Sequence, residues 1–448
     1  MASRVVKIAT TLRTHKKKSI FAGVVVYYAG SWVSGWHRNN KIRSAYAAEA
    51  KVFGDQSISP ESRPRRVTVL ANTSANERYV WDDFTKNSLP LLHLAGLQVD
   101  IIKTESAAQL EAVAGVLSTE EADAIFVVGG EGTAACVLNG IFRAEEGRRS
   151  AALLPIAFAP GGYDNLALRR LVPLVFNEEG DIRRWCESAM ALIEEKTRVL
   201  RVVECSLSGS DEKPFYGLGS VAAGWFRHIE ERRRKLWYWA GLKRRFAYFW
   251  EMIKRSPSQF EVAIEYEEYC PGCSRCRPRP PVKKAEWRWW HLLTGSPRLL
   301  PSSDADRDYS GIVNEECGKI HSTLARGTEL EVVGERGENE DDSTRLELRM
   351  RGASLGRVGV MREGWRRCAE GVLGQPSSAF PVSPEDVSLS GSAFSLQLRE
   401  LPEIVKKVYV SGDPLAHQEE QKVTVKATNR KLHIFLPSTL RIDLANLN

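Results

Sequence analysis

Two glycine-rich stretches of the sequence have the composition of loops that bind phosphate. Residues 129–133 read Gly-Gly-Glu-Gly-Thr, residues 160–165 read Pro-Gly-Gly-Tyr-Asp-Asn, and each stretch follows an apolar run. Glycine lets backbone amides approach an anion closely, and the amino end of a following helix faces that anion with partial positive charge. Structural turns use glycine as readily, so the importance of these two glycine loops depends on the elements that would position them.

The elements around the glycine loops follow the pattern of an α/β domain. Between residues 67 and 196, short apolar runs alternate with longer amphipathic stretches, which predicts parallel strands joined by helical crossovers. The predicted strands are residues 67–71, 99–102, 124–128 and 155–159, and the predicted helices are residues 76–94, 107–117, 133–142 and 181–196. Ligands of such sheets bind at the carboxyl ends of the strands, where both glycine loops and Asn72-Thr73-Ser74 are expected to lie.

These motifs resemble those of a known family of kinases. Residues 129–133, after Ile-Phe-Val-Val, resemble the Gly-Gly-Asp-Gly-Thr signature of the diacylglycerol kinase catalytic domain, which sphingosine and ceramide kinases share. Residues 160–165 are similar to the second motif of that family, with Tyr163 in place of threonine. Further stretches resemble the mitochondrial acylglycerol kinases more closely, namely residues 11–17, 48–56, 91–104 and 235–243.

The resemblance implies a fold, a reaction and a set of site residues. The implied fold is α/β, with a layered parallel-sheet nucleotide-binding domain over residues 60–196 and a β-sandwich-like second domain over residues 197–448. The implied reaction transfers the γ-phosphate of ATP, with Mg²⁺, to an acylglycerol lipid. The implied nucleotide-binding residues are Asn72, Thr104, Gly129, Gly130, Gly132, Thr133, Gly162 and Asn165.

Two carboxylates carry the implied catalytic roles. Glu131 stands where the family has aspartate, and it would hold Mg²⁺ with a carboxylate displaced by about 1 Å, a shift that can reduce a rate on the order of a hundredfold. Asp413, in Val410-Ser-Gly-Asp, is the candidate for the general base that the family places in an Asp-Gly-Glu motif.

Departures from the family pattern favour a second hypothesis. Residues 72–76 lack the proline and glycine of the family's first loop, Arg201 replaces an acidic residue, and the Asp-Gly-Glu motif is missing. Positioning groups in phosphoryl transfer each contribute several kcal/mol. The alternative is a catalytically weak pseudokinase that acts as a membrane-anchored subunit of the mitochondrial inner-membrane carrier translocase, to which the family is linked.

The charge of the chain is concentrated at its amino end. Residues 1–48 carry nine basic side chains and no acid, whereas the other 400 residues carry 54 basic and 56 acidic side chains. The formal charge of +7 therefore belongs to a leader, which argues against a nucleic-acid-binding protein whose folded body is basic.

The leader also contains an uncharged apolar run at residues 20–36, which would span about 25 Å as a helix. We expect a membrane anchor helix within residues 1–48 and a protein of the mitochondrial inner membrane whose body faces the intermembrane space. A cleaved secretory signal and a transit peptide are the open alternatives.

The second half of the sequence favours strands and contains two unusual segments. Residues 225–254 predict one helix in which basic clusters lie beside aromatic residues, as on a helix that contacts an anionic membrane or on one that packs its aromatics inward. Cys270, Cys273 and Cys276 have metal-ligand spacing at the start of an insertion over about residues 268–310, and His291 is a candidate fourth ligand. A zinc site, a plain surface loop and an oxidised pair all remain open. Eight cysteines in 448 residues are too sparse for a disulfide scaffold.

Overall fold

The structure is a computed structural model, and the chain divides into two compact units. The first unit comprises residues 1–133, 145–198 and 433–448, and the second comprises residues 134–144 and 199–432. The residues that the structure describes are 16–57, 63–74, 79–144, 153–162, 165–176, 181–208, 213–218, 220–233, 235–236, 242–257, 259–270, 272–276, 311–334, 345–352, 355–370, 384–399, 407–415 and 421–442.

The described elements are helices and strands in both units. The helices are α1 (Lys16–Gly54), α2 (Tyr79–Asn87), α3 (Leu89–Leu94), α4 (Ala107–Val116), α5 (Glu131–Arg143), α6 (Leu166–Leu171), α7 (Pro173–Phe176), α8 (Arg183–Ile193), α9 (Trp225–Arg233), α10 (Lys243–Lys254) and α11 (Arg357–Glu370). The strands are β1 (Arg66–Asn72), β2 (Gln98–Thr104), β3 (Ala124–Gly129), β4 (Ile156–Pro160), β5 (Thr197–Leu207), β6 (Phe215–Gly217), β7 (Val221–Gly224), β8 (Phe260–Glu268), β9 (Ile320–Gly327), β10 (Glu329–Gly334), β11 (Leu346–Arg351), β12 (Val387–Arg399), β13 (Val408–Val410), β14 (Asp413–Leu415) and β15 (Lys422–Phe435).

The first unit is built on a parallel sheet. Its strands lie in the order β2-β1-β3-β4, and the last residues of β15 pair with β4, every one of these pairs being parallel. β3 and β4 are buried along their whole length, as strands covered by helices on both faces are. The α/β class predicted from the alternating apolar runs is therefore confirmed.

Helix α1 joins the leader to the core of the first unit. It continues past residue 48 to Gly54, and its last turns place Ile42, Tyr46 and Ala50 on one face that is buried in the core. Tyr46 donates a hydrogen bond to the carboxylate of Glu187 on α8 at 2.6 Å. The end of the leader is thus part of the folded unit.

The apolar run at residues 20–36, where we expected an anchor, lies within α1. Its described large apolar side chains, from Val24 to Trp36, are exposed. In the part of the chain that the structure describes, no helix is both long enough and apolar enough to cross a membrane.

The second unit is dominated by antiparallel strands. One ladder runs β14-β13-β7-β10-β11-β12, and β12 also pairs with β8, which pairs with β9. The first half of β12 pairs with β11 and its second half pairs with β8 and β15, so this 13-residue strand is shared by two ladders. Inward-facing apolar residues of both ladders form one core.

The helix predicted over residues 225–254 is not continuous. The structure has α9 and α10 in its place, with residues 237–241 outside the described part of the chain. Phe226, Ile229 and Tyr248 pack together in a buried cluster, whereas Phe249 and Trp250 are partly exposed. The aromatic residues of this region therefore divide between core and surface.

Candidate nucleotide-binding site

The predicted nucleotide-side residues lie at one edge of the parallel sheet. The pairing register sets Asn72 at the end of β1 opposite Thr104 at the end of β2, and Gly129 at the end of β3 opposite Pro160 at the end of β4. β1 and β3 are neighbours as well, with Ala71 opposite Val128. Four strands thus end at the same level, and the glycine loops continue from two of them, as predicted.

The two glycine loops contact each other through their backbones. A methyl group added to Gly130 would lie 2.8 Å from the Cα of Gly162, and one added to Gly162 would lie 2.7 Å from the Cα of Gly130. Carbon atoms in contact prefer a separation of about 3.5–4.0 Å, so a side chain at either position would push the loops apart. Glycine is required here because of this close approach, and neither residue has a positive φ.

Asn165 fixes the shape of the second glycine loop. Its carboxamide nitrogen donates to the carbonyl oxygens of Pro160 (3.1 Å) and Gly162 (2.9 Å), while its oxygen accepts from the amide of Gly162 at 2.8 Å. Asn165 is buried and adopts the left-handed conformation, with φ of 49°, which asparagine tolerates better than most residues. The predicted nucleotide-binding residue therefore has a direct role in positioning the loop.

Glu131 is the first residue of α5 and connects the two loops. Its carboxylate accepts a hydrogen bond from the backbone amide of Ala167, in the first turn of α6. A carboxylate in the first turn of α5 is also stabilised by the partial positive charge of that helix end. The sequence shows an acidic residue at position 131, but it does not indicate that the carboxylate contacts Ala167.

Asn72 and Thr133 join the first strand end to the start of α5. The side-chain nitrogen of Asn72 donates to the hydroxyl of Thr133 at 3.4 Å, and its oxygen accepts from the amide and hydroxyl of Ser74 at 3.1 and 2.7 Å. Thr104 is buried and donates to the carbonyl of Ala71 at 3.3 Å. Hydroxyl and amide groups thus line the edge on which the loops lie, although the family's first-loop proline and glycine are missing.

Asp413 lies in the second unit, where its backbone closes a hairpin. It pairs with Val410 across a two-residue turn in which Ser411 and Gly412 have φ of 49° and 90°. Positive φ at both central residues is the pattern of a type I′ hairpin turn, which favours glycine. The Val-Ser-Gly-Asp sequence therefore has a structural explanation, and the role of Asp413 as a base stays a prediction.

Comparisons with known proteins match the segment of the sequence that contains these strands and loops. Residues 66–205 match the diacylglycerol kinase catalytic domain family, and this segment contains both glycine loops. The chain is also 44% identical to an uncharacterized protein of Caenorhabditis elegans over 98% of both chains. The chain belongs to the diacylglycerol kinase family of lipid kinases.

Within this lipid kinase family, the mitochondrial acylglycerol kinases are similar to part of the chain. The protein of Xenopus laevis is 31% identical over 59% of this chain and 60% of its own length, and the human protein is 31% identical over 57% and 59%. The chain thus matches about 60% of the length of these relatives. A crystal structure of a diacylglycerol kinase from Bacillus anthracis covers 84% of this chain and 98% of its own, with 14% identity and a TM-score of 0.46.

Proposed function

We propose that this lipid kinase is an acylglycerol kinase. It transfers the γ-phosphate of ATP to the free hydroxyl of diacylglycerol or monoacylglycerol, giving phosphatidic or lysophosphatidic acid. The observation that carries this proposal is the contact between Gly130 and Gly162 at the level ends of neighbouring parallel strands.

The glycine loops fit the phosphate groups of ATP. Glycine at positions 130 and 162 leaves the backbone there uncovered by a side chain, and the amide of Gly162 itself donates to Asn165. The first amides of the 13-residue helix α5 have no partner within the helix and carry partial positive charge. ATP would supply the phosphoryl group, and Mg²⁺ would offset its negative charge.

The polar side chains of the site position these loops. Asn165 fixes the second loop, and Asn72 links the first strand end to Thr133. Glu131 would contact Mg²⁺, with a carboxylate oriented by the Ala167 amide. In phosphoryl transfer most of the catalysis comes from positioning and charge stabilisation, which are the contributions this arrangement can make.

An assay of the full chain with labelled ATP and acylglycerol in mixed micelles tests the kinase proposal. We expect turnover that falls roughly a hundredfold in Glu131→Gln, which keeps a hydrogen-bond acceptor for Ala167 but removes the charge. Glu120→Gln, at an exposed glutamate before β3, is the matched control and should leave turnover unchanged. A natively folded chain without turnover on either lipid would contradict the proposal.

We also propose that the protein acts at the mitochondrial inner membrane, with its body facing the intermembrane space. The proposal is supported by the acid-free basic leader and by the relatives named as mitochondrial acylglycerol kinases. Removing residues 1–36 should abolish mitochondrial import while leaving Ile42 and Tyr46 in the core. Import of the shortened chain at the wild-type level, measured as resistance to added protease in intact mitochondria, would contradict the proposed targeting, and resistance of the wild-type chain to protease in mitoplasts would contradict the proposed orientation.

The structural role of the site residues supports a second candidate function. The hydrogen bonds of Glu131 and Asn165 hold the loops together, and these contacts would persist in a protein without catalysis. In this case the chain would be a pseudokinase subunit of the carrier translocase. Crosslinking in mitochondria should then recover translocase subunits equally from wild type and Gly130→Asp, and a failure to recover them from wild type would exclude this function.

A further inference from the structure

Four cysteines meet at one end of the β8–β9 hairpin. Cys270, Cys273 and Cys276 follow β8, and Cys317 precedes β9, so the thiols come from both arms of the hairpin. The four sulfur atoms lie within 4.8 Å of one another, and none is in a disulfide. Cys317 is 40 or more residues away from the other three along the chain, and the pairing of β8 with β9 brings it to them.

Two distances between the sulfur atoms match those of a tetrahedral metal site. The Cys273 and Cys276 sulfurs are 3.6 Å apart, and the Cys276 and Cys270 sulfurs are 3.7 Å apart. Disulfide sulfurs are separated by about 2.05 Å. Four sulfurs placed about 2.3 Å from a central zinc ion at tetrahedral angles would be about 3.8 Å apart.

Hydrogen bonds hold the two arms in register around the thiols. The amide of Cys273 donates to the sulfur of Cys276 at 3.3 Å, and the side-chain nitrogen of Asn314 donates to the sulfur of Cys270 at 3.4 Å. Arg275 donates to the carbonyl of Cys317 at 2.7 Å. Donors to ligand atoms orient them and stabilise their charged form, as the outer contacts of metal sites do.

The burial of the cluster argues against a plain surface loop. Cys273 and Cys317 are 0% and 3% exposed, whereas Cys276 is exposed and Cys270 is half-buried.

We propose that Cys270, Cys273, Cys276 and Cys317 bind one Zn²⁺ as thiolates. Four thiolates in tetrahedral geometry are typical of structural zinc sites, and four protein ligands leave no open coordination position for catalysis.

The proposed zinc ion has a structural role in the second unit. It connects the end of β8 to the start of β9, next to the paired residues Glu267 and Ile320. The chain between Cys276 and Cys317 would thereby be closed at its base by the metal. His291, the fourth ligand suggested by the sequence, lies outside the described residues, and Cys317 completes the set without it.

Metal analysis of the full chain, purified under reducing conditions with any affinity tag removed, tests this proposal. We expect about one zinc per chain by elemental mass spectrometry. Cys317→Ser should weaken zinc binding by more than about 100-fold, since even outer contacts of metal sites contribute 10- to 100-fold. Cys368→Ser, at a half-buried cysteine on α11, is the matched control and should keep the zinc.

A measurement on the wild-type chain keeps the test valid even if Cys317→Ser fails to fold. Chelation of the zinc should make the four proposed ligands alkylate faster, while the alkylation of Cys368 stays constant. Replacement of the zinc by Co²⁺ should give the intense absorption of a tetrahedral thiolate site. A folded, reduced chain without zinc, disulfides among these cysteines, iron in place of zinc, or zinc retained fully by Cys317→Ser would overturn the proposal.

Discussion

The two units of the protein form their distinctive features in opposite ways. The candidate site of the first unit depends on residues without side chains, because Gly130 and Gly162 let two loops touch at the ends of parallel strands. The second unit depends on buried polar side chains that come from distant parts of the sequence, such as the pair of Arg367 and Glu329. Features made by backbone follow from sheet topology, whereas features made by side chains require particular residues to meet.

The buried charges around α11 show the second kind of feature most clearly. The guanidinium of Arg367 is 1% exposed, donates twice to Glu329 at 2.9 and 2.7 Å, and donates to Glu363 at 3.0 Å. It also lies 3.9 Å from the centre of the Phe226 ring. Arg351 pairs with Glu363 at 2.9 Å, so each carboxylate of this network faces at least one arginine.

Breaking this network should have the largest effect on stability. Arg367→Met leaves Glu329 buried without its partner, and removing one member of a buried ion pair typically costs about 3–5 kcal/mol. Arg326→Met, at a largely exposed arginine on β9 that pairs with Glu261, should cost less than about 1 kcal/mol. Denaturant unfolding of both variants measures the difference, and equal effects would show that burial of the pair contributes nothing.

The contrast between the units also explains what the sequence could predict. The strands of the first unit were recognisable as buried apolar runs, and their parallel pairing placed Asn72, Gly129 and Pro160 at one edge. The helix expected over residues 76–94 was wrong, because the chain divides into α2 and α3 at Ser88, where Pro90 in the first turn of α3 lacks the amide that a continuous helix would use.

Side-chain contacts between distant segments were beyond the sequence. Nothing near Glu131 indicates that its carboxylate accepts a hydrogen bond from Ala167, because that contact depends on the position of the second loop. Cys317 was missed as a fourth ligand for the same reason, since its place beside Cys273 depends on the register of β8 with β9. Spacing along the chain identified the local cysteines only.

The next largest effect is expected on turnover, when one methyl group is added to the candidate site of the first unit. Gly130→Ala places a methyl group 2.8 Å from the Cα of Gly162, so the loops must separate by about 1 Å, a displacement that can reduce turnover on the order of a hundredfold. Gly356→Ala adds the same group where no atom lies within 4 Å, and should leave turnover unchanged. Kinase assays of the two variants would refute the backbone argument if their rates agreed.

The smallest expected effect is on the pH dependence of stability, which should depend on the ion-pair network of the second unit. Burial raises the pKa of Glu363, but the hydrogen bond from Arg366 and the charges of Arg367 and Arg351 outweigh it and hold the pKa at about 2. In the unfolded chain a glutamate titrates near 4.3. The network therefore stabilises the native state fully above about pH 4.5, and this contribution is lost as the pH falls towards 2.

Glu363→Gln lacks this titration, so the difference in unfolding free energy between wild type and variant should shrink by about 1–2 kcal/mol between pH 6 and pH 3. Urea unfolding at several pH values measures that difference. A difference that stays constant with pH would mean that the contribution of Glu363 to stability does not depend on its charge. A difference that narrows would instead show that ionised side chains stabilise the second unit.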